Sequence, residues 1–596
     1  MRILKSLCLL LSITALAGAT QVYPGPDWRD EPNPLASPDA IPGGEISIFA
    51  GQYPKSFNYY LEPSTFTAQV FGSMYESLLS SSPLSPADVP GLAERWSISD
   101  DKRTFTFWID PRARWSDGKP VTAEDVRWTF AAIMNPEHRT GVHKVSLEVF
   151  EPPRILGTNI IAFTAREVHW RNLNAIGGLS ILPKHAFASA DFNKINFDFD
   201  VVSGPYRMGE LKEGIFAKQE RRDDWWARVY KRNQNQANFQ TLTFRFYKDR
   251  ENAFEVFRKG GIDLYPVYTA RLWVNETRGE RFQKNWIVKQ KVQNYRPIGF
   301  QGFAMNRRRS PFDDVGVRRA MAHLLDRETM NRTIMYSQYF MHKSYFEDLY
   351  GPDTPCTNAS IAFDKERARQ LLQEAGWQPN PDSGRLEKNG KPFTFSFLSR
   401  DASAEKFLSI YGEDLKDVGI ELKIDKKDWS AWVADMDEFN FDMTWASWSA
   451  GLYKDPEHMW ASAEAHRKGG YNLGGFTNAW VDAMIEKQKT IFDVAKRHAI
   501  CRQIDAVLAE DVPYALLWNI NYTRLLYWNK FGMPPQVLSK YGDERSAYWL
   551  WWYDPDAADD LAFAMEEGAH LPPHPPQVDF DEAFATDEGK EPAERN

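Results

Sequence analysis

Hydrophobic and polar positions alternate over Glu45-Ile46-Ser47-Ile48-Phe49 and over Thr104-Phe105-Thr106-Phe107-Trp108-Ile109, the period of strands with one buried face. The second run leads to a turn at Ser116-Asp117-Gly118-Lys119-Pro120. Thr122 then reads as a helix N-cap, with Glu124 and Asp125 in the first turn, where carboxylates favour the helix dipole. Val126, Phe130 and Ile133 recur at helical spacing and mark the face that helix buries. Further on, Val317, Met321, Leu324 and Leu325 predict one helix over 314–336. Asp364 caps the next, which buries Ala368, Leu371, Leu372 and Ala375 and stops at Gly376. Alternation returns at 393–397 and 420–424, with a helix between them and another after. Strand and helix in turn predict an α/β fold. Residues 20–42, rich in Pro, Gly and Asp, predict an extended lead-in. The Pro-rich, acidic stretch 561–596 predicts a disordered tail.

The N-terminus changes the picture. Met1-Arg2-Ile3-Leu4-Lys5, an apolar run over Leu7–Leu16 and Ala17-Gly18-Ala19 form the pattern of a cleavable secretory signal, residues 1–19. The apolar run is too short for a membrane span of about 30 Å. Cys8 lies inside it, which argues against lipid attachment. Cys356 and Cys501 follow the signal, and the sequence leaves open whether they pair or stay free.

Composition excludes some classes. The 596 residues carry a net charge of −9, which argues against nucleic-acid binding. There is no H-E-x-x-H, C-x-x-C, G-x-S-x-G or Walker lysine, and Gly469 to Gly475 lacks dinucleotide-loop spacing. His458 and His466 are not at helical ligand spacing, and the acidic doublets read as turns and caps. Aromatics reach 14% of the chain, with Trp429, Trp432, Trp445, Trp448 and Trp460 concentrated in one region. Such rings build cores, and they also line clefts between lobes.

Ala93-Glu94-Arg95-Trp96, the strand 104–109 and Arg114-Trp115-Ser116-Asp117-Gly118-Lys119-Pro120-Val121-Thr122-Ala123-Glu124-Asp125-Val126 resemble the signature of family 5 extracellular solute-binding proteins of ABC importers. Ser203-Gly204-Pro205-Tyr206, Pro311-Phe312-Asp313-Asp314-Val315 with Arg318, Asp326-Arg327-Glu328 and Ala368 to Trp377 extend the similarity over 43–555. Asn238-Phe239, Ala253 to Phe257, Trp528-Asn529-Lys530-Phe531 and Trp551-Trp552-Tyr553-Asp554 bring it closest to the YejA subgroup.

The resemblance implies a two-lobed periplasmic binding protein fold with the ligand cleft between the lobes. Lobe I would comprise 43–71, 200–292 and 523–560, with an extra subdomain at 72–199. Lobe II would be 293–522. It also implies a monomer without cofactor, metal or catalysis, which hands peptides to a permease and ATPase in the inner membrane. Site residues carried over are Pro63, Ser64 and Thr65 on the first lobe, and Trp429, Trp445, Ser447, Trp448, Ala450 and Gly451 on the second. Family members often place an Asp three residues after the counterpart of Trp448 to hold the ligand's α-amine. Here that position is Gly451, which turns the expectation towards N-modified or murein-derived peptides unless Asp455 substitutes. The alternatives are another cargo in the same fold (an oligosaccharide, metal chelate or haem) and a secreted glycoside hydrolase with a Trp-lined cleft.

Overall fold

The computed structural model describes residues 22–24, 28–194, 199–400 and 402–588. The signal segment 1–19 lies outside the described residues. Three sheets organise the rest. An eight-stranded sheet runs in the order Gln577–Asp579, Ile287–Gln293, Tyr522–Trp528, Leu264–Pro266, Glu45–Gly51, Thr241–Phe246, Phe216–Arg221 and Tyr206–Lys212. A five-stranded sheet holds Glu421–Lys426, Thr394–Ser399, Met443–Ser447, Gln301–Met305 and Tyr514–Leu516. The third, of five strands, holds Val22–Tyr23, Ala93–Ile98, Thr104–Ile109, Ile160–Thr164 and Arg154–Gly157. Its strand 104–109 buries Phe105, Phe107 and Ile109 in the core that Ile46, Phe244 and Leu525 fill under the large sheet. The first lobe and its added sheet therefore share one continuous core.

In the second lobe both faces of the sheet are covered, because Phe303 and Phe397 point one way and Ala304 and Leu398 the other. The chain passes between the lobes twice, side by side. Gln293 pairs with Tyr522 in the large sheet, and Gly302 pairs with Leu516 in the small one. Together they form the two-lobed α/β architecture that positions a cleft.

Local chemistry sets the element ends. The Thr122 N–H donates to Asp125 Oδ2 at 2.9 Å, so the helix Ala123–Met134 starts at the expected cap. Asp364 likewise accepts from Arg367 N at 2.9 Å and starts Lys365–Glu374. The single helix expected over 314–336 is instead two, Val315–His323 and Arg327–Ile334. The break falls at Asp326, whose carboxylate accepts from Thr329 N at 2.9 Å and caps a new helix rather than continuing the old one. Leu324 and Leu325 remain buried at the corner. Among the described residues Cys356 and Cys501 are free; Cys501 is buried and Cys356 half-buried. Among the described residues no helix is long and apolar enough to cross a membrane.

The tail departs most from expectation, since residues 561–588 are ordered rather than disordered. Asp554 caps the helix Pro555–Glu567, and Gly568 ends it at φ 65°. The prolines then keep the chain extended along the first lobe: Gln290 Nε2 donates to Pro575 O and Lys291 N to Pro576 O, both at 2.9 Å. Gln577–Asp579 adds a parallel edge strand beside Lys291–Gln293. Val578 and Phe580 are buried, with Phe580 set against Tyr295 and Phe584. Average composition obscured these two anchors. Phe580→Ala should cost about 3 kcal/mol in chemical denaturation of the first lobe. An unchanged unfolding midpoint would show that the strap carries no stability.

Candidate functional site

A cavity of about 940 Å³ lies between the lobes. Ser447, Trp448, Ser449, Ala450 and Leu452 line it from the second lobe, at the end of the strand Met443–Ser447. Ser81, Ser82, Pro83 and Tyr541 to Asp543 with Arg545 line it from the first, and Arg296, Pro297 and Gly299 form its base at the crossing. Trp448 is fixed at both ends, its N–H donating to Phe300 O at 2.8 Å and its indole Nε1 to the Tyr514 hydroxyl at 3.3 Å. This seat requires glycine at 299, because a Cβ there would stand 1.7 Å from the Trp448 carbonyl oxygen.

Charge enters the cavity mainly from the first-lobe wall. Arg545 donates through Nε and Nη2 to Asp543, at 2.8 and 2.5 Å. Burial would raise the Asp543 carboxyl, but the Arg545 pair brings it below its ordinary value. Arg296 adds a second cation beside that pair. Burial and the neighbouring Asp543 charge push the adjacent Glu544 up, and it accepts from the Tyr268 hydroxyl at 2.7 Å. Periodicity gave no pointer to these groups, since they sit in loops from distant parts of the chain.

The expected site residues do not all converge. Ser447, Trp448 and Ala450 line the main cavity, and Gly451 lines an adjoining space of about 210 Å³. There the Lys454 ammonium donates to Gly451 O at 2.9 Å and to Asp348 Oδ2 at 2.6 Å. Trp445 turns towards the core of the lobe, packed on Phe303, Phe407 and Trp518, with its indole donating to Gln301 Oε1 at 3.1 Å. Trp429 opens the helix Trp429–Asp437, 61% exposed and stacked on Trp432. Ser64 caps the helix Thr65–Met74 by accepting from Thr67 N at 3.1 Å. Pro63, Ser64 and Thr65 are not among the residues lining either cavity.

A second contact joins the lobes. Trp170, from the added subdomain, donates its indole N–H to Gln488 Oε1 at 2.7 Å and its backbone N–H to Lys489 O at 2.9 Å. The Arg497 guanidinium lies 4.0 Å from the centre of the Trp170 ring. Beside it Arg171 pairs with Asp455 at 2.8 Å and Glu457 at 2.9 Å, and Lys489 pairs with Glu457 at 2.6 Å. His169, Asp455 and Glu457 bring ligand-type atoms within 4.8 Å of one another. Arg171 and Lys489 already supply the positive charge a metal would bring, so the cluster reads as an ionic clasp. Asp455 accepts from Arg171 and from Glu457 N, and is therefore not a free substitute for an amine anchor. His169, Lys489 and Arg171 outweigh burial and hold the Glu457 carboxyl well below the usual carboxylate range.

Two lobes joined by paired crossings, with an open cavity between them, are the architecture of a solute-binding protein. Residues 89–470 match the bacterial extracellular solute-binding proteins, family 5 (middle region), and the chain belongs to that family. Its members are non-catalytic binding proteins. The probable peptide-binding protein YejA of Agrobacterium fabrum is 28% identical over 496 residues, covering 76% of this chain and 80% of that protein. The oligopeptide-binding protein AppA from Bacillus subtilis, solved with a nonapeptide, superposes with a TM-score of 0.67 at 22% identity, over 86% of this chain and all (100%) of that one. NikZ from Campylobacter jejuni, solved with Ni(L-His), gives 0.65 at 19% identity, over 88% and 100%.

The clasp predicts a defect in the contact between the lobes. Arg171→Ala leaves two partly buried carboxylates with one cation, which should weaken this lobe–lobe contact by about 1–2 kcal/mol after allowing for the partial exposure of Arg171. Scattering on the variant should show a larger radius of gyration than the parent. Equal radii would mean the clasp does not hold the lobes. Because the Glu457 carboxyl is depressed in this contact, its contribution is present above the ordinary carboxylate range and is lost as pH falls below it.

Proposed function

We propose that this chain is the periplasmic capture component of an ABC importer, exported by its 1–19 signal, and that its cargo is peptide. Lobe I (43–71, 200–292 and 523–560, with the subdomain 72–199) and lobe II (293–522) close over the ligand and present it to an inner-membrane permease and ATPase. The observation that carries the reading is the main cavity, walled by both lobes and rich in backbone groups at Ser447 to Ala450. Main-chain hydrogen bonding at such a strand end suits a peptide whose side chains vary, with Trp448 covering apolar ligand surface. Native mass spectrometry of freshly purified protein tests it, and bound peptide is the expected result. A nickel chelate such as NikZ holds, or a sugar or haem, would keep the fold and overturn the cargo.

The peptide's N-terminus is the finer part of the reading. Lys454 brings a cation of the protein's own to the Gly451 carbonyl, and Asp455 is engaged by Arg171. Cargo with a blocked or modified amine, including murein-derived peptide, therefore fits better than cargo anchored by a free ammonium. Acetylating the α-amine should change affinity by less than about tenfold, or about 1.4 kcal/mol, in calorimetry on matched peptides. A hundredfold loss would reveal an ammonium site. The complementary variant is accommodated: a side chain at 451 meets only Tyr453 O, at 3.7 Å. Gly451→Asp should therefore fold normally and shift preference towards free-amine peptides.

A further inference from the structure

Behind the cleft, inside the first lobe, lies a second chamber of about 420 Å³. Ser81, Pro83 and Ser539 line both spaces, so the chamber abuts the cleft cavity there. Trp28 of the lead-in, Trp225 and Trp549 wall it with indole rings. At its lining stands Glu76, just after the helix Thr65–Met74. One carboxylate oxygen accepts from Trp226 Nε1 at 2.7 Å and the other from Trp225 Nε1 at 3.3 Å. The residue lies deep in the lobe, yet part of its surface stays open, and the chamber is the space it lines.

Buried carboxylates are ordinarily paired with a cation. The Arg222 charge favours ionised Glu76 without outweighing burial, and Arg222, Arg29 and Arg232, the last two lining the chamber, are held by other groups. Arg222 pairs with Asp224 and donates to Val202 O and Gly204 O, and Arg29 pairs with Asp110, which also accepts from Tyr230. Arg232 lies over the Trp28 ring, at 5.8 Å. Burial accordingly raises the Glu76 carboxyl to about 7. A cation entering an indole-walled space would gain from the ring faces as well as from the carboxylate.

We propose that this chamber is a side-chain pocket of the binding site, in which Glu76 and the surrounding indoles receive a basic group, guanidinium or ammonium, of the bound ligand. The proposal rests on reading the cleft as a peptide site. It assigns a task to the lead-in, which is to supply Trp28 to the pocket wall.

The test uses the full-length mature protein, a pentapeptide series carrying one Arg at each position in turn, citrulline partners of equal size, and arginine amide as a probe independent of any peptide. At one position the Arg peptide should bind at least about tenfold tighter than its citrulline partner, and Glu76→Gln should abolish that preference while leaving the citrulline peptide unchanged. Entry of the cation requires Glu76 ionised. The Arg preference should therefore grow from about pH 6 to about pH 8 in the parent protein, a readout that stands even if the variant fails to fold. Peptides that bind with no Arg preference at any position, or with a preference that survives Glu76→Gln, overturn the pocket and leave the peptide reading intact. Arginine amide that changes tryptophan fluorescence in a Glu76-dependent way, with every peptide silent, supports the pocket and overturns the peptide reading. Silence of peptides and arginine amide alike overturns the pocket.

Discussion

The structure depends on a pair of strands that belong to the first lobe and continue into the second. Ile287–Gln293 and Tyr522–Trp528 pair through seven registered positions, the longest pairing in the large sheet, and each leads into the small sheet within a few residues. The two passages lie side by side between the large and the small sheet. Everything between 293 and 522 is then an insertion carried on this double stem. The cleft base at Arg296, Pro297 and Gly299 is simply where the stem emerges.

Much of this was legible from periodicity. The strands at 45–49 and 104–109 and the helices capped by Thr122 and Asp364 form where the alternation and caps put them. What escaped was tertiary. The break at Asp326 needs a cap to win over propensity, and the ordered tail needs two apolar anchors to outweigh an acidic, Pro-rich average. Of the groups lining the cavity, Ser447, Trp448 and Ala450 belong to one strand end, whereas Asp543, Arg545 and Arg296 meet only because the chain returns to the first lobe. Charges in loops have no period to betray them.

The aromatic excess divides in the same way. Trp115 and Trp551 are fully buried and support the first-lobe core. Trp448 faces the cavity with its indole tied down, and Trp170 plugs the lobe interface. Trp429, conspicuous in the sequence, stands in the open beneath the Arg400 guanidinium. A tryptophan count measures how much ring surface a chain owns; the hydrogen bond made by each indole N–H tells more about its use.

The order of strands in the large sheet has a consequence for how the molecule is made. Glu45–Gly51 is among the first elements to emerge, and it takes its place beside Leu264–Pro266, which in turn rests on Tyr522–Trp528. One of its two edge strands, Gln577–Asp579, comes from nearly the last described residues. A chain delivered from its N-terminus therefore holds an unfinished sheet until Gln577–Asp579 is released. The insertion that forms the second lobe draws its sheet strands only from 301–516 and faces no such wait. Assembly is thus staggered by connectivity alone: the later-synthesised lobe is the first whose strands are all present, and the lobe begun first is closed last.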